Sequence, residues 1–530
     1  MSKKKLQVWL PLIFSLVMIT GMFFGFKLHQ EAGGQSFFKR DKKTSLQEAL
    51  DLIRNKYVDK VGIDSLQDDA INEVMNHLDP HSVYIPASGV ESANEELRGD
   101  FEGIGIEFNR FNDTVHVLYV VPNGPSDKAG LHIGDKIIKV NDSSIVNKGF
   151  FNDDIKKMIK GEKGTQVKLT VLRGSTVQYY QVVRGTIPLP SLDASYMVDA
   201  NTGYIKLNKF AETTYREFMQ AMETLKGQGM QKLILDLRDN PGGFVDQATN
   251  VADEFLDDNK LIVYTQGANV PRQEYTASKE GVFEKGKLVV LVDELTASAS
   301  EILTGALQDW DRATIIGRRT YGKGLVQQPF ELSDGSALRL TIARYYTPSG
   351  RNIQKPYDKG KKIYDEDIYD RYQHGELFSA DSIHYSKEQK TYKTLIQHRI
   401  IHGGGGIVPD IFVPLDTSRY TRNVEQLYLS GRFSNFVYKY YIDHVSQFDE
   451  YKSPADFAAR YQNSVDVWNQ LVNEAFKDSI RLQNIPETDK GKIQAQIKAY
   501  LARLKWRTQG YYQVSNSFDP VVEKAMEILK

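Results

Sequence analysis

The chain has 530 residues, room for roughly three or four domains with separate cores. Its 67 Lys+Arg against 68 Asp+Glu leave no basic field to hold nucleic acid, and 41% hydrophobic with 25% charged residues is the make-up of folded, mostly soluble protein. Cysteine is absent, which excludes disulfide scaffolds, thiolate zinc sites, iron–sulfur clusters, cysteine-protease chemistry and a lipoprotein anchor, while leaving the compartment open.

Residues 8–26 are uncharged and follow Lys3, Lys4 and Lys5. As a helix this run spans about 28 Å, close to the ~30 Å hydrocarbon core of a bilayer. The only small-residue cleavage site, Ala32-Gly33-Gly34, lies late. The expectation is an uncleaved anchor, or signal segment, over 1–34, its lysines in the cytoplasm of a bacterium and everything beyond the inner membrane in the periplasm. Lys27, Lys39, Arg40, Lys42 and Lys43 on the far side blunt that charge argument.

Residues 35–95 read as a helical region. Ser45-Leu46-Gln47-Glu48 has the wording of a capping box, and Leu66, Ile71, Val74, Met75 and Leu78 form a stripe that Asp79-Pro80 stops. His77 and His81 are four apart, but Pro80 between them ends the helix, so His81 is read as a turn residue and not as a metal ligand. Over 96–185 the pattern changes to short strands with turns. Gly103-Ile104-Gly105-Ile106 opens it, Pro125-Ser126-Asp127-Lys128-Ala129-Gly130-Leu131 and Gly134-Asp135 follow, and a helix is expected to carry Phe151, Ile155, Met158 and Ile159. This order and wording resemble a PDZ domain. The resemblance implies that backbone N–H groups around Gly103, Ile104, Gly105 and Ile106 receive a peptide's free carboxylate while the peptide adds as a strand.

From 186 to 356 strands and helices alternate. Strands are expected at 204–207, 233–237, 261–264, 288–292 and 313–316, with helices between, which predicts a largely parallel sheet carrying chemistry in the loops after its strands. Residues 357–402 read as a polar, tyrosine-rich, irregular insertion. Residues 403–420, opening with Gly403-Gly404-Gly405-Gly406, return a strand near 407–413, and 421–530 are helical again. One tail helix starts at Ser453-Pro454, and another carries Ile493, Ile497 and Leu501.

Three loops carry candidate chemistry: Asp236-Leu237-Arg238-Asp239-Asn240-Pro241-Gly242-Gly243, Thr296-Ala297-Ser298-Ala299-Ser300-Glu301 and Thr320-Tyr321-Gly322-Lys323-Gly324-Leu325-Val326-Gln327. Ser298 is either a helix cap, with Glu301 completing a box, or a nucleophile served by free N–H groups. A nucleophile needs a base, and no histidine lies between His132 and His374. His398 and His402 belong to the insertion, which leaves Lys323, whose ordinary value near 10.4 must fall to neutrality, a bias of about 4 kcal/mol against the ammonium. The competing reading of Gly322-Lys323-Gly324 is a solvated turn. A phosphate loop is excluded, because the required Gly-Lys-Ser/Thr wording is missing.

Taken in order, Asp79-Pro80-His81-Ser82, the PDZ-like segment, Leu237-Arg238-Asp239-Asn240-Pro241-Gly242-Gly243, Ser298-Ala299-Ser300-Glu301 and Gly322-Lys323-Gly324-Leu325-Val326-Gln327 resemble the carboxyl-terminal processing peptidases, the tail-specific serine proteases. The resemblance implies an α/β multidomain fold, a PDZ domain plus a crotonase/ClpP-like protease core between helical N-terminal and C-terminal regions. It implies Ser298 as nucleophile, Lys323 as base, Gln327 orienting the lysine, and an oxyanion hole of backbone N–H groups at Gly242, Gly243 and Ala299, with no metal and no cofactor. Ser300 is the rival nucleophile, with helix packing as its bland role. The expected partners are proteins or peptides with accessible apolar carboxyl termini, the membrane through the N-terminal segment and, for the added segments, a second copy or an adaptor protein. A catalytically inactive, membrane-tethered PDZ scaffold is the alternative. An acyl-CoA enzyme on a related sheet gains no specific motif.

Overall fold

The computed structural model describes residues 3–31, 44–111, 113–146, 148–257, 259–383, 390–416 and 420–530; the Ala32-Gly33-Gly34 site and the basic residues 39–43 lie outside the described residues. The chain separates into two units, Met1–Val74 and Met75–Lys530.

In the first unit Lys3–Glu31 is a single 29-residue helix that includes Pro11. Those of its large apolar side chains that are described, Phe14 and Ile19 among them, are exposed. Among the described residues no helix is long and apolar enough to cross a membrane. Helix Ser45–Lys56 follows, and Ile63–Asn76 begins in this unit. The capping box falls one residue earlier than its sequence wording suggests. Thr44 has the extended backbone of a cap, its hydroxyl accepts from the Gln47 N–H, and the Gln47 side chain accepts from the Thr44 N–H at 3.0 Å.

In the second unit the PDZ segment folds as six antiparallel strands, from Ile106–Phe111 to Thr176–Val183, around Val115, Ile137, Leu169 and Val171. Helix Asn152–Ile159 turns Ile155 and Ile159 into that core. Phe151, expected on the helix's apolar face, is instead the cap residue and is 72% exposed. Asp100–Gly103 pairs antiparallel with Gly185–Pro188, so the segment's entry and exit run side by side.

The second core is a six-stranded sheet in the order Leu192–Met197, Thr202–Leu207, Lys232–Asp236, Lys287–Val292, Thr314–Gly317 and Ile411–Phe412. Every neighbouring pair is parallel except the first. Its strands are apolar runs because both faces are covered. Helices Thr214–Gly227, Val245–Asp253 and Ala299–Asp309 pack on one face through Phe218, Val251 and Ile302. On the other, Val521, Val522, Ala525 and Leu529 of the terminal helix Pro520–Leu529 meet Tyr204, Ile234 and Val289.

Two expectations are corrected here. Leu261–Gln266 leaves the parallel sheet and joins a five-stranded one with Val83–Ile85, Gln273–Thr276, Leu325–Glu331 and Ala337–Tyr346. Its antiparallel register with Ala337–Tyr346 is a long-range choice that local strand–helix alternation does not encode. The insertion is not irregular throughout, since it forms helix Lys361–Gln373 and the pair Thr391–Lys393 with Ile400–His402. That helix buries Tyr364 and Arg371 through polar bonds, the Arg371 guanidinium donating to the Thr320 carbonyl at 2.8 Å, so no apolar stripe marks it in the sequence.

The helices after residue 421 enclose their own core of Phe433, Phe448, Phe457, Leu471, Ile497 and Leu501. Pro454 opens one of them, with the Ser453 hydroxyl capping the Asp456 N–H. These helices lean on the PDZ segment, where Tyr438 stacks on Phe111 with centroids 5.2 Å apart and meets His116 edge-on.

Candidate active site

The three candidate loops leave the carboxyl ends of adjacent parallel strands, Lys232–Asp236, Lys287–Val292 and Thr314–Gly317, and so converge at one rim of the sheet. Ser298 precedes helix Ala299–Asp309 with φ 56° and ψ −119°, a conformation costing a non-glycine residue about 1–3 kcal/mol. The hydroxyl makes no capping bond. The expected box is therefore half made: the Glu301 carboxylate accepts from the Ser298 N–H at 2.9 Å, and the Oγ is left for other chemistry.

The turn before it is fitted to this serine. A Cβ on Gly242, whose φ is +95°, would lie 2.7 Å from the Ser298 Cβ and 2.8 Å from the Ala299 nitrogen, so only glycine permits the approach. Buried Asn240 fastens the two loops, because its carbonyl accepts from the Ala297 N–H at 3.0 Å and from the Ser300 hydroxyl at 3.1 Å. Ser300 is thereby occupied in packing. The Gly242 N–H donates to the Asn240 side chain at 2.9 Å, whereas the Gly243 and Ala299 N–H groups have no acceptor among the described residues. Of the three expected oxyanion donors, two are thus open.

Arg238 and Asp239 serve the loop. Arg238 grips buried Asp236 at 2.6 Å and reaches Asp519 at 2.7 Å, while the Asp239 N–H donates to Asp293. Burial favours the neutral acid at Asp236, but the charges of Arg238 and Lys206 outweigh it and hold the carboxyl well below the usual range.

Lys323 stands in the neighbouring loop, and Glu301 joins the two. This fully buried carboxylate accepts from the Thr320 hydroxyl at 2.5 Å, from the Gly322 and Lys323 N–H groups at 2.8 Å each, and from Ser298. Burial pushes its carboxyl up to about 7 against these bonds. Tyr345 adds a second clasp, its buried hydroxyl lying 3.1 Å from the Ser298 carbonyl and 2.6 Å from that of Lys323. Beneath the loop pass the four glycines 403–406, and a Cβ on Gly322 would lie 2.9 Å from the Gly406 nitrogen.

The Lys323 amine has no hydrogen-bond or carboxylate partner among the described residues. Burial, helped by the charge of Arg339, brings it down to about 8, against the upward pull of Glu301 and Asp79. Gln327, expected to orient it, instead donates to the Thr341 hydroxyl at 3.3 Å, and that hydroxyl donates to Asp79 at 3.0 Å. A register shift lies between Val326 and Gln327 in the pairing with Ala337–Tyr346.

Sequence reasoning treated Glu301 as a cap partner only and did not single out Tyr345 or Asn240. It also placed no histidine near the base, yet His81 stands within the field of Lys323. Burial first, then the Lys323 charge, take its imidazole down to about 4, and its Nε2 lies 2.7 Å from the Tyr364 hydroxyl. The ordered Asp79-Pro80-His81-Ser82 motif was the one available signal. His402 lies on a strand of the insertion, where its carbonyl accepts from Arg351 at 3.0 Å. In the PDZ segment Gly103, Ile104, Gly105 and Ile106 line a cavity of about 500 Å3 with Ile159, the last residue of the neighbouring helix, and Lys160 just beyond it.

Comparison with known proteins matches residues 201–360 to peptidase family S41, 103–183 to the PDZ domain, and 423–507 to a family of unknown function (DUF8443). The carboxy-terminal processing protease CtpA of Bacillus subtilis (strain 168) is 36% identical over 330 residues, 62% of this chain and 69% of that protein. A probable CtpA-like serine protease of Staphylococcus epidermidis is 34% identical over 331 residues, 61% of this chain and 66% of that protein. The match thus spans just under two thirds of the staphylococcal relative's length. The solved photosystem II D1 C-terminal processing protease shares 31% identity, covering 58% of this chain and 89% of that chain, with a TM-score of 0.34.

Proposed function

The chain belongs to the PDZ-containing carboxy-terminal processing proteases of peptidase family S41, and from that membership we propose a serine endopeptidase with Ser298 as nucleophile and Lys323 as general base. The observation that carries the reading is the double clasp: one buried carboxylate bonded to the Ser298 and Lys323 N–H groups, and one buried hydroxyl against both their carbonyls. Two loops held so closely restrict nucleophile and base to a few arrangements, the entropic half of catalysis.

In the proposed cycle neutral Lys323 takes the Ser298 proton as the oxygen attacks a peptide carbonyl. The Gly243 and Ala299 N–H groups receive the oxyanion, and the ammonium returns its proton to the leaving amine. Water, deprotonated by the same amine, then releases the acyl-enzyme. The Lys323 value near 8 supports a lysine that deprotonates without strong base. The PDZ domain fits peptide binding, and in this proposal its Gly103–Ile106 loop takes accessible apolar carboxyl termini of exported proteins.

We place the catalytic domains in the periplasm of a bacterium, attached to the inner membrane by residues 8–26. The exposed apolar side chains described between Trp9 and Phe26 support attachment, since such a patch calls for an apolar surrounding, although no described helix is long and apolar enough to cross a membrane. Cell fractionation checks it: a chain starting at residue 44 should move from the membrane to the soluble fraction, and an unchanged distribution would overturn the attachment.

The deciding experiment incubates the purified chain and its Ser298→Ala and Lys323→Ala variants with an unfolded protein ending in apolar residues, and identifies the cut ends by mass spectrometry. Cleavage by the parent alone is expected. Full activity in either variant would sink the dyad, and an inert parent would favour the binding-only scaffold.

A further inference from the structure

The strand next to the carboxylate-binding loop, Ile106–Phe111, carries Ile106 and Phe108 on the side packed against the PDZ core. Alternation sends the intervening Glu107 to the opposite face, where its register partner is Tyr119. Two arginines from outside the domain meet there. Arg503 donates to the Glu107 carboxylate at 2.6 Å, and Arg507 donates to the other oxygen of the same carboxylate. The Arg507 guanidinium also lies over the Tyr119 ring, 3.7 Å from its centroid, and it lines the 500 Å3 groove together with Gly103–Ile106.

Both arginines stand on Glu487–Ser515 of the helical tail, 396 and 400 residues from Glu107 in the chain. That helix breaks at this point. Trp506 has φ −124° and ψ 19°, and Arg507 has φ 61° and ψ −154°, a region that is almost reserved for glycine. A bulky residue held in that conformation, with its charge delivered to the lip of a groove, is an outlier that asks for a use.

We propose that Arg507 is a specificity-determining residue of the tail-binding groove, selecting substrates with an acidic residue at the penultimate or fourth position from their carboxyl terminus. The inference rests on the PDZ domain's role in tail recognition. A peptide strand added beside Ile106–Phe111 alternates as its host does. Its last residue faces the apolar side of Ile104 and Ile159, and the penultimate and fourth-from-last residues face Glu107, Tyr119 and Arg507. At this lip two guanidiniums share the Glu107 carboxylate. Glu95, Glu96, Lys156 and Lys160 line the rest of the groove and Glu95 is paired with Lys160, so the excess positive charge is local to Arg507 and a substrate carboxylate placed there can take it.

The test measures fluorescence anisotropy of labelled ten-residue peptides on the full chain carrying Ser298→Ala, so that nothing is cut. The peptides share an apolar end and differ only in Asp or Asn at those two positions. The acidic tails are expected to bind about three- to fivefold tighter at low salt, the size of a partly exposed ion pair, and the difference should shrink at high salt. Arg507→Gly keeps the observed backbone conformation accessible, and should bring the ratio close to one. Arg507→Glu should reverse it toward lysine-bearing tails. Equal affinities in the parent would overturn the proposal while leaving tail recognition intact. If no apolar tail binds at all, the PDZ reading fails and this inference falls with it.

Discussion

With Lys323 as the proposed base, its value of about 8 makes cleavage follow the titration of that amine, with the Glu301 carboxyl at about 7 adding a second step at the acid end. At pH 7 about one chain in eleven carries the neutral base, and at pH 9 about ten in eleven do, so kcat/KM should rise about tenfold between these points and then level off. Arg339 supplies a test of the cause, because its positive charge is the largest contribution after burial to the lowered value. Arg339→Gln removes that charge, so the midpoint should move upward. At pH 7 the loss is expected to be about three- to tenfold, the reach of one partly screened charge, while the plateau at high pH is regained. The assay is initial-rate cleavage of an apolar-tailed peptide from pH 6 to 10 in a constant-ionic-strength buffer. A flat profile between pH 7 and 9 would refute the lysine base. A variant reduced by the same factor at every pH would show that Arg339 acts by packing and not by charge.

Two further outcomes follow from the same cluster. A lysine depressed from 10.5 to about 8 burdens the folded state fully below pH 8 and ceases to do so above 10.5, so Lys323→Met should stabilise the protein by about 3 kcal/mol at pH 7. Thermal or urea unfolding at pH 7 and at pH 11 checks the sign, and a gain that does not shrink at the higher pH would contradict the buried-charge origin. Glu301→Gln keeps the acceptor facing Thr320 and Gly322 but turns a donor toward the Ser298 and Lys323 N–H groups. Losing one or both of those bonds costs about 1–3 kcal/mol each, so kcat is expected to fall about a hundredfold with near-native KM for the tail peptide. A loss below threefold would remove Glu301 from the positioning role.

The features legible in the sequence were those encoded locally. Ser298 stands in a short loop between an apolar strand and a helix start, Lys323 in one between two strands, and glycines 242 and 322 mark points where a chain must come close. What was hidden depends on distant partners. Glu301 looks like any third residue of a helix, and only the fold brings its carboxylate to a loop 22 residues away. Leu261–Gln266 has the composition of a parallel strand, yet its hydrogen bonds go to Ala337–Tyr346. Helix Lys361–Gln373 escaped because its buried positions are Tyr364 and Arg371, which hold by polar bonds and leave no apolar period. Gln327 was named by position alone, and what the fold adds is a partner for its amide N–H, the Thr341 hydroxyl.

The ribbon formed by Asp100–Gly103 and Gly185–Pro188 has a consequence for how the protein is assembled from parts. Upstream, Val83–Ile85 is stitched to Ala337–Tyr346, and downstream, Leu192–Met197 is stitched to Thr202–Leu207. The chain therefore leaves the protease and re-enters it at one place, about 5 Å apart. Residues 104–184 form a cassette hung on a two-strand stem, and a short hairpin turn is long enough to close the stem without them. The proposed reader and cutter are covalently separable at that point, and what a replacement module would have to reproduce is the contact with the helical tail through Glu107, Phe111 and His116.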